Sequence, residues 1–348
     1  VGAFSNTYGK TAHGLVRRTR RYRVMAVIDP ALSGRDAGQY LDGKPNGIPL
    51  VQDLPDALAA ASRAGYPARH FVIGIAPDGG RLDDELRDAV REAIAAGLNV
   101  DAGLHDFISE DPQLAALALE KGVELRDVRK TPPREALHAF TGKIEEVGSF
   151  RVAVLGTDSA IGTRTTAWAL VEALEATGMG AELIGTGQTA WLQGAGYSIM
   201  LDSLVSDFIA GELEHALWLA WTEARPQVIV VEGQGSLKNP AYPGGFEILA
   251  AARPHCVILQ HAPARKVYDG FPDYPLHPLP IQIQAIELIS GRPVVAVTIN
   301  HENMTATETR LAAQKIEAET GLPTMDVLLD GPGRLAEVVK GEMARMAP

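Results

Sequence analysis

The residues best suited to chemistry begin at Arg151. An apolar run, Arg151-Val-Ala-Val-Leu155, enters a loop bounded by Gly156 and Gly162, and a stretch rich in Ala and Leu follows to Leu170. Strand, glycine loop and helix in that order form a phosphate cradle, because glycines let successive N–H groups turn toward an anion at the positive end of the helix. Gly156, Thr157, Ala160 and Gly162 supply the frame, and Thr165 and Thr166 place hydroxyls where a P-loop presents its Ser or Thr. Thr163 and Arg164 follow Gly162, so the lysine that reaches the outer phosphates in a Walker motif is missing and Arg164 stands in for part of its charge. The plain alternative is an ordinary strand-to-helix turn that uses two glycines.

Three other stretches carry reactive types. The strand-like residues 227–231 deliver Glu232 into Glu232-Gly-Gln-Gly-Ser236, the arrangement in which a P-loop protein places a carboxylate beside its phosphate loop. Residues 260–277 crowd His261, Arg265, Lys266, Asp269, Asp273 and His277 among prolines, a composition that suits a substrate-facing wall. His261, His277, Asp269 and Asp273 match no metal-ligand spacing. Gly103-Leu-His-Asp-Phe107 ends an expected strand and puts His105 and Asp106 within reach of acid–base work, whereas Asp111 fits helix capping. Gly9-Lys-Thr11 imitates the end of a Walker motif, but Phe4 occupies the position that needs Gly or Ala. The basic run from Arg17 to Arg23 offsets the dipole at the end of a helix over residues 11–21.

These residues need a scaffold, and the pattern supplies an α/β one. In the first half, strands are expected at 22–29, 70–76, 99–102 and 123–128, alternating with helices at 53–64, 83–96 and 111–121. That alternation predicts a Rossmann-like N-terminal domain over 1–145 and a P-loop NTPase-like C-terminal domain over 146–348, both with mainly parallel sheets. Residues 126–148 join them. The second half adds strands at 181–186, 227–231, 256–259 and 294–300, helices at 201–221 and 305–320, and a closing strand in 321–329. Ligands are expected at strand C-termini, in a cleft that both domains share. Residues 1–4 read as the end of a strand that a few preceding residues begin. With 348 residues, a net charge of −11 and no apolar run of membrane length, the chain is expected to be cytoplasmic, without a nucleic-acid or membrane partner. One cysteine, Cys256, lies in an apolar run and is expected to be buried in a strand.

Taken jointly, Gly156-Thr-Asp-Ser-Ala-Ile-Gly162, Gly185-Thr-Gly-Gln-Thr189, Val230-Val-Glu-Gly-Gln-Gly-Ser-Leu237, Pro240-Ala-Tyr242 and Gly270-Phe-Pro-Asp-Tyr-Pro275 resemble the bacterial D-glutamate N-acetyltransferase family. Gly9-Lys-Thr-Ala12, Gly79-Gly-Arg81, the His105 segment and Asp127-Val-Arg-Lys130 extend the resemblance over almost the whole chain. More distantly, the loop and the Val-Glu-Gly turn are similar to dethiobiotin synthetase. The resemblance implies acetyl transfer from acetyl-CoA to the amino group of D-glutamate, and the loop is expected to hold the CoA phosphates; a homo-oligomer and no metal are expected as well. Within that frame, chemical type assigns Glu232, Asp158 and His261 as bases and Lys238, Arg265 and Lys266 as cations for the carboxylates or the oxyanion. Gln188, Tyr242, Asp273 and His105 join Arg265 as substrate contacts. Many relatives carry Lys where this chain has Thr163. An ATP–Mg²⁺-dependent ligase or kinase, and a nucleotide-binding regulator, are the competing classes.

Overall fold

A computed structural model describes residues 2–346. The chain divides into two compact units, one running to Thr131 with the later segment Gln188–Gly194 and the other holding Pro132–Gly187 and the chain from Ala195 onward. Val1, the first residue of the expected strand end, lies outside the described residues. Gly2 and Ala3 lie outside regular structure and Phe4 enters a turn, so no strand end is seen there.

The first unit holds two small parallel sheets. Strands β1 (Val27–Ile28) and β2 (Leu50–Val51) form one; β3 (His70–Val72), β4 (Asn99–Ala102) and β5 (Leu125–Asp127) form the other. Helices Leu54–Arg63, Asp84–Ala95 and Pro112–Lys121 start where Asp53, Asp83 and Asp111 accept backbone N–H bonds as N-caps, which settles Asp111 as a capping residue. The core gathers Leu54, Ile73, Leu86, Val90, Ile94 and Val100. The basic run is satisfied locally: helix Lys10–Arg17 ends on Arg17, which pairs with Asp42 at 2.7 Å, while Arg21 covers the Trp191 ring and Arg23 the Tyr66 ring. Helix Gln188–Gln193 belongs to this unit because Gln193 Nε2 donates to the Gly14 and Arg18 carbonyls and the Thr189 hydroxyl meets that of Thr11.

The second unit is built on a seven-stranded parallel sheet. Its strands are β6 (Phe150–Gly156), β7 (Ala181–Gly185), β8 (Tyr197–Ser198), β9 (Val228–Glu232), β10 (Cys256–His261), β13 (Val294–Ile299) and β14 (Thr324–Met325), in the order β14-β13-β10-β6-β9-β7-β8. A hairpin of β11 (Val267–Tyr268) and β12 (Phe271–Pro275) stands apart from it. Strands β6, β9 and β13 are buried along their whole length, as a parallel sheet covered on both faces requires. The expected helix at 201–221 starts later, at Ser206, after a 3₁₀ turn over Leu201–Ser203, and runs to Ala224. The helix Ala306–Thr320 opens with a capping box between Thr305 and Glu308. Cys256 is 1 % exposed and burial pushes its thiol up to about 12, so it is an inert strand residue. Among the described residues, no helix is long and apolar enough to cross a membrane.

One buried acid ties the segment before β6 to this unit. Glu214, within helix Ser206–Ala224, accepts the amides of Thr141 and Ile144 and the Thr141 hydroxyl. Burial would raise its pKa, but the converging donors outweigh that and hold it below the usual carboxylate value. Glu214→Ala strands those donors and is expected to cost about 2–4 kcal/mol in urea unfolding, with Glu214→Gln recovering part of the loss. Because the folded pKa is depressed, the charge contributes stability that is present near neutrality and falls away as pH drops through the folded value.

Candidate active site

The parallel sheet brings the C-terminal ends of β6, β7, β9, β10 and β13 to one edge, and most of the reactive residues expected in this half lie there. After β6 the chain turns sharply at Ala160, with φ 47°, and again at Gly162, with φ 103°, before helix Thr163–Ala176 begins. Only glycine adopts the second value without strain, so Gly162 is fixed by backbone conformation. The amides of Ile161, Gly162 and Thr163 have no protein partner among the described residues and are available at the helix head.

The two threonines have different duties. Thr166 is buried and its hydroxyl donates to Gln260 Oε1 at 2.6 Å, whereas the half-buried Thr165 hydroxyl has no partner among the described residues. Gln260 also accepts the Thr298 hydroxyl on the same Oε1, and its backbone carbonyl accepts the Thr157 amide. Thr163, in the place of the missing lysine, donates its hydroxyl to the Gly233 carbonyl at 3.1 Å and so ties the helix start to the turn after β9.

Asp158 is buried at the centre of the loop. One oxygen accepts the Ser159 amide and Asn239 Nδ2; the other accepts Arg265 Nη1 at 2.7 Å and the Asp269 amide. Arg265 turns its remaining edge to Glu302, with Nε on Oε1 at 2.7 Å and Nη2 on Oε2 at 2.8 Å, and also donates to the Ser159 carbonyl. Burial alone would lower the Arg265 pKa, but Glu302 and Asp158 overcome it and raise the value above that of a free guanidinium. Arg265 is therefore committed inside the protein, between two carboxylates.

Glu232 ends β9, level with Val154 of β6, and is 5 % exposed. Its Oε2 accepts the Thr186 amide at 2.9 Å, and the Thr186 hydroxyl donates to its backbone carbonyl. Burial pushes the Glu232 pKa up to about 7, with the Arg164 charge and the Thr186 and Gly187 amides offsetting part of the effect. His261 ends β10 with Nδ1 3.0 Å from the Thr157 hydroxyl. Burial, reinforced by Lys266 and Arg265, lowers it to about 4, so it is neutral at pH 7.

Lys238 is half-buried beside Asn239 and has no hydrogen-bond or ion-pair partner among the described residues; its charge is felt at His277. Lys266 is exposed and donates to the Pro263 carbonyl. The Tyr242 backbone is pinned by Asn239 and Ser236 while its ring stays 53 % exposed. Asp273 is exposed on β12, without a partner among the described residues. In the first unit, His105 Nε2 lies 2.6 Å from Arg129 Nη1, and Arg129 Nη2 donates to Gln188 Oε1 at 2.7 Å, so one buried guanidinium gathers two residues expected to touch substrate.

Sequence reasoning missed Asn239, Gln260, Asn300, Glu302 and Arg129. Asn300 follows β13, donates from Nδ2 to the Ile161 carbonyl at 3.0 Å and accepts the Glu302 amide. The strand-end rule that drew attention to Glu232 applies equally to Asn300 and Glu302.

Fold and site define a protein of the P-loop class joined to a Rossmann-like unit. Residues 138–336 match DUF1611_C, a domain of unknown function described as a P-loop domain, and residues 30–131 match DUF1611_N, described as Rossmann-like. A D-glutamate N-acetyltransferase of Tritonibacter scottomollicae is 30% identical over 81% of this chain and 84% of its own length. A second, from a Pseudoalteromonas species, is 27% identical over 79% and 82%. The crystal structure of a DUF1611 family protein from Anabaena variabilis superposes with a TM-score of 0.87 at 29% identity, covering 97% of this chain and 96% of that one. The chain belongs to the DUF1611 family and is related over most of its length to these D-glutamate N-acetyltransferases.

Removing Arg265 would leave Asp158, whose side chain is fully buried, without its charge partner. Arg265→Ala is expected to lower unfolding free energy by about 3–5 kcal/mol, and Arg265→Lys to recover little because an ammonium cannot span both carboxylates. Denaturant titration measures both; a loss below about 1 kcal/mol for the alanine variant would show the pair to be dispensable.

Proposed function

We propose that this enzyme moves an acetyl group from acetyl-CoA to the amino group of D-glutamate, with the phosphate loop holding the CoA phosphates. The acceptor is taken over from the relatives' names. One observation carries the reading of the loop: its glycine frame and open helix-head amides are intact, yet Thr163 stands where a lysine would reach the outer phosphates and spends its hydroxyl on Gly233. Such a loop suits an anion that is held and not transferred. The Thr165 hydroxyl and Arg164 complete the cradle.

The acid–base work falls to Glu232. A general base is most effective when its pKa lies near the working pH, and Glu232 at about 7 meets that condition. His261 at about 4 is a weaker base, and Asp158 is engaged by four donors. In the reaction, the Glu232 carboxylate takes one proton from the glutamate ammonium. The freed amine pair attacks the thioester carbonyl carbon, the tetrahedral oxyanion collapses as the C–S bond breaks, and the nitrogen's surplus proton passes to the departing CoA thiolate to leave the amide and the CoA thiol. Lys238 is the cation for a substrate carboxylate, because it adjoins Asn239, which bonds Asp158 of the loop, and has no internal partner among the described residues, unlike Arg265.

Steady-state kinetics test the assignment. Because the active form of Glu232 is the deprotonated one, kcat/KM should rise with pH through about 7 and level off above it. Glu232→Gln should remove that inflection and lower kcat by about 10²- to 10⁴-fold while leaving acetyl-CoA affinity unchanged. Lys238→Ala should raise KM for D-glutamate by roughly tenfold or more. A Glu232→Gln enzyme within threefold of wild type would remove Glu232 as the base.

A further inference from the structure

Asp158 positions more than Arg265. One of its oxygens accepts Asn239 Nδ2, next in the chain to Lys238, and the other accepts the Asp269 amide, next to Tyr268. One buried carboxylate therefore brings both Lys238 and Tyr268 to the border of the phosphate loop. Tyr268 is buried in the β11–β12 hairpin, and its hydroxyl lies 2.8 Å from Nδ1 of His277, two residues past the end of β12. The His277 backbone is held as well. Pro278 follows it and restricts it to extended conformations, and Gln282, in helix Leu279–Ser290, donates from Nε2 to its carbonyl at 3.0 Å.

The Tyr268 hydroxyl decides which ring nitrogen of His277 carries the proton. A buried phenol must place its hydrogen on an acceptor, and among the described residues Nδ1 is the one side-chain acceptor this hydroxyl meets. Burial and the Asp158 charge raise the Tyr268 pKa, so the phenol keeps its proton. With Nδ1 as acceptor, the neutral imidazole carries its hydrogen on Nε2. Burial and the Lys238 charge lower the His277 pKa, which keeps the ring neutral at pH 7. Among the described residues, neither Nε2 nor the Lys238 ammonium has a hydrogen-bond partner, and Lys238 is the one charge felt at the His277 ring. Two half-buried donors, one charged and one neutral, thus border the loop with their hydrogens unused. A carboxylate matches them, with two oxygens for two donors and one negative charge for one positive.

We infer that His277 is a specificity-determining residue of the acceptor site: its Nε2–H and the Lys238 ammonium together seat one carboxylate of the substrate, one oxygen each. Tyr268 is the positioning residue that fixes the tautomer. The inference rests on the reading of Lys238 as the substrate cation and adds to it the second donor. A phosphate of the acyl carrier is the competing anion, and the experiment separates the two.

Calorimetry with glutarate, which has both carboxylates of glutamate and no amine to acetylate, reads the seat without the reaction, and D-glutamate kinetics read it within the reaction. His277→Phe and His277→Asn should each weaken glutarate and raise KM for D-glutamate by roughly tenfold while kcat stays within about threefold. His277→Gln should restore most of the affinity, because its amide places an N–H where Nε2–H stands and that of asparagine does not. Tyr268→Phe should weaken glutarate when His277 is present and have no effect in the His277→Gln protein, which has no tautomer to set; a loss of equal size in both backgrounds would make Tyr268 merely structural and overturn its positioning role. This pattern of glutarate binding in a protein that does not acetylate D-glutamate would support the seat and remove acetyl transfer. Unchanged glutarate affinity and KM in His277→Phe, or no glutarate binding by the wild type, would overturn the inference. Weakened acetyl-CoA binding in His277→Phe with KM for D-glutamate intact would overturn it too, by giving the pair to a phosphate.

Discussion

The active-site edge of the second unit depends on one buried guanidinium. Arg265 bonds Asp158 in the phosphate loop, the Ser159 carbonyl beside it and Glu302 beyond β13, so one side chain ties two loops to its own. Its side chain is 10 % exposed and that of Asp158 is fully buried, which makes the pairing obligatory: either charge alone would face a large desolvation penalty. Asn239 and the Asp269 amide fill the remaining acceptor positions on Asp158, so the turn after β9 and the hairpin after β10 are fixed by the same carboxylate. A loop braced in this way presents its amides without reorganising when an anion arrives.

The same bracing divides labour among the ionisable groups. Groups inside the clamp are saturated with partners and unsuited to proton transfer. Glu232 lies outside it, and its carboxylate meets the Thr186 and Gly187 amides and the Arg164 charge. Burial without a full set of donors lifts a carboxyl toward neutrality, whereas four donors keep Asp158 occupied. Lys238 shows the converse: a cation without an ion-pair partner among the described residues, next in sequence to Asn239 of the clamp, has capacity for a ligand.

Much of this was legible in the sequence, and what was not has physical reasons. Phe150–Gly156 and Thr163–Ala176 fall where the apolar run, the glycines and the Ala/Leu stretch put them, and Glu232 ends a strand as the Val-Ile-Val-Val run implies. Strand order in the seven-stranded sheet was not legible, since it is set by crossovers and not by local pattern. The pairing of Arg265 with Asp158 and Glu302 joins residues 107 and 37 positions apart, a distance at which composition says nothing about partners. Arg265 reads as a substrate cation by its type; only geometry shows that four of its five N–H donors are engaged within the protein. The Gln188–Gln193 helix reads as part of the second half by position, but its bonds to Gly14 and Arg18 place it with the first. The 22–29 strand shortened to Val27–Ile28 because most of its length lacks a neighbour to pair with.

The central claim is that the braced loop binds the phosphates of an acyl carrier and does no phosphoryl chemistry. Calorimetric titration of acetyl-CoA into wild type and a Gly162→Glu variant, with an ATPase assay of the wild type alongside, tests it most directly. A glutamate at Gly162 would bring negative charge and a side chain to a position with φ 103° at the helix head. Charge-assisted contacts to a phosphate are worth about 1.5–3 kcal/mol each, so losing two should weaken acetyl-CoA by about a hundredfold or more, and the wild type should not turn over ATP. Equal acetyl-CoA affinity in the two proteins, or brisk Mg²⁺-dependent ATP hydrolysis by the wild type, would contradict it.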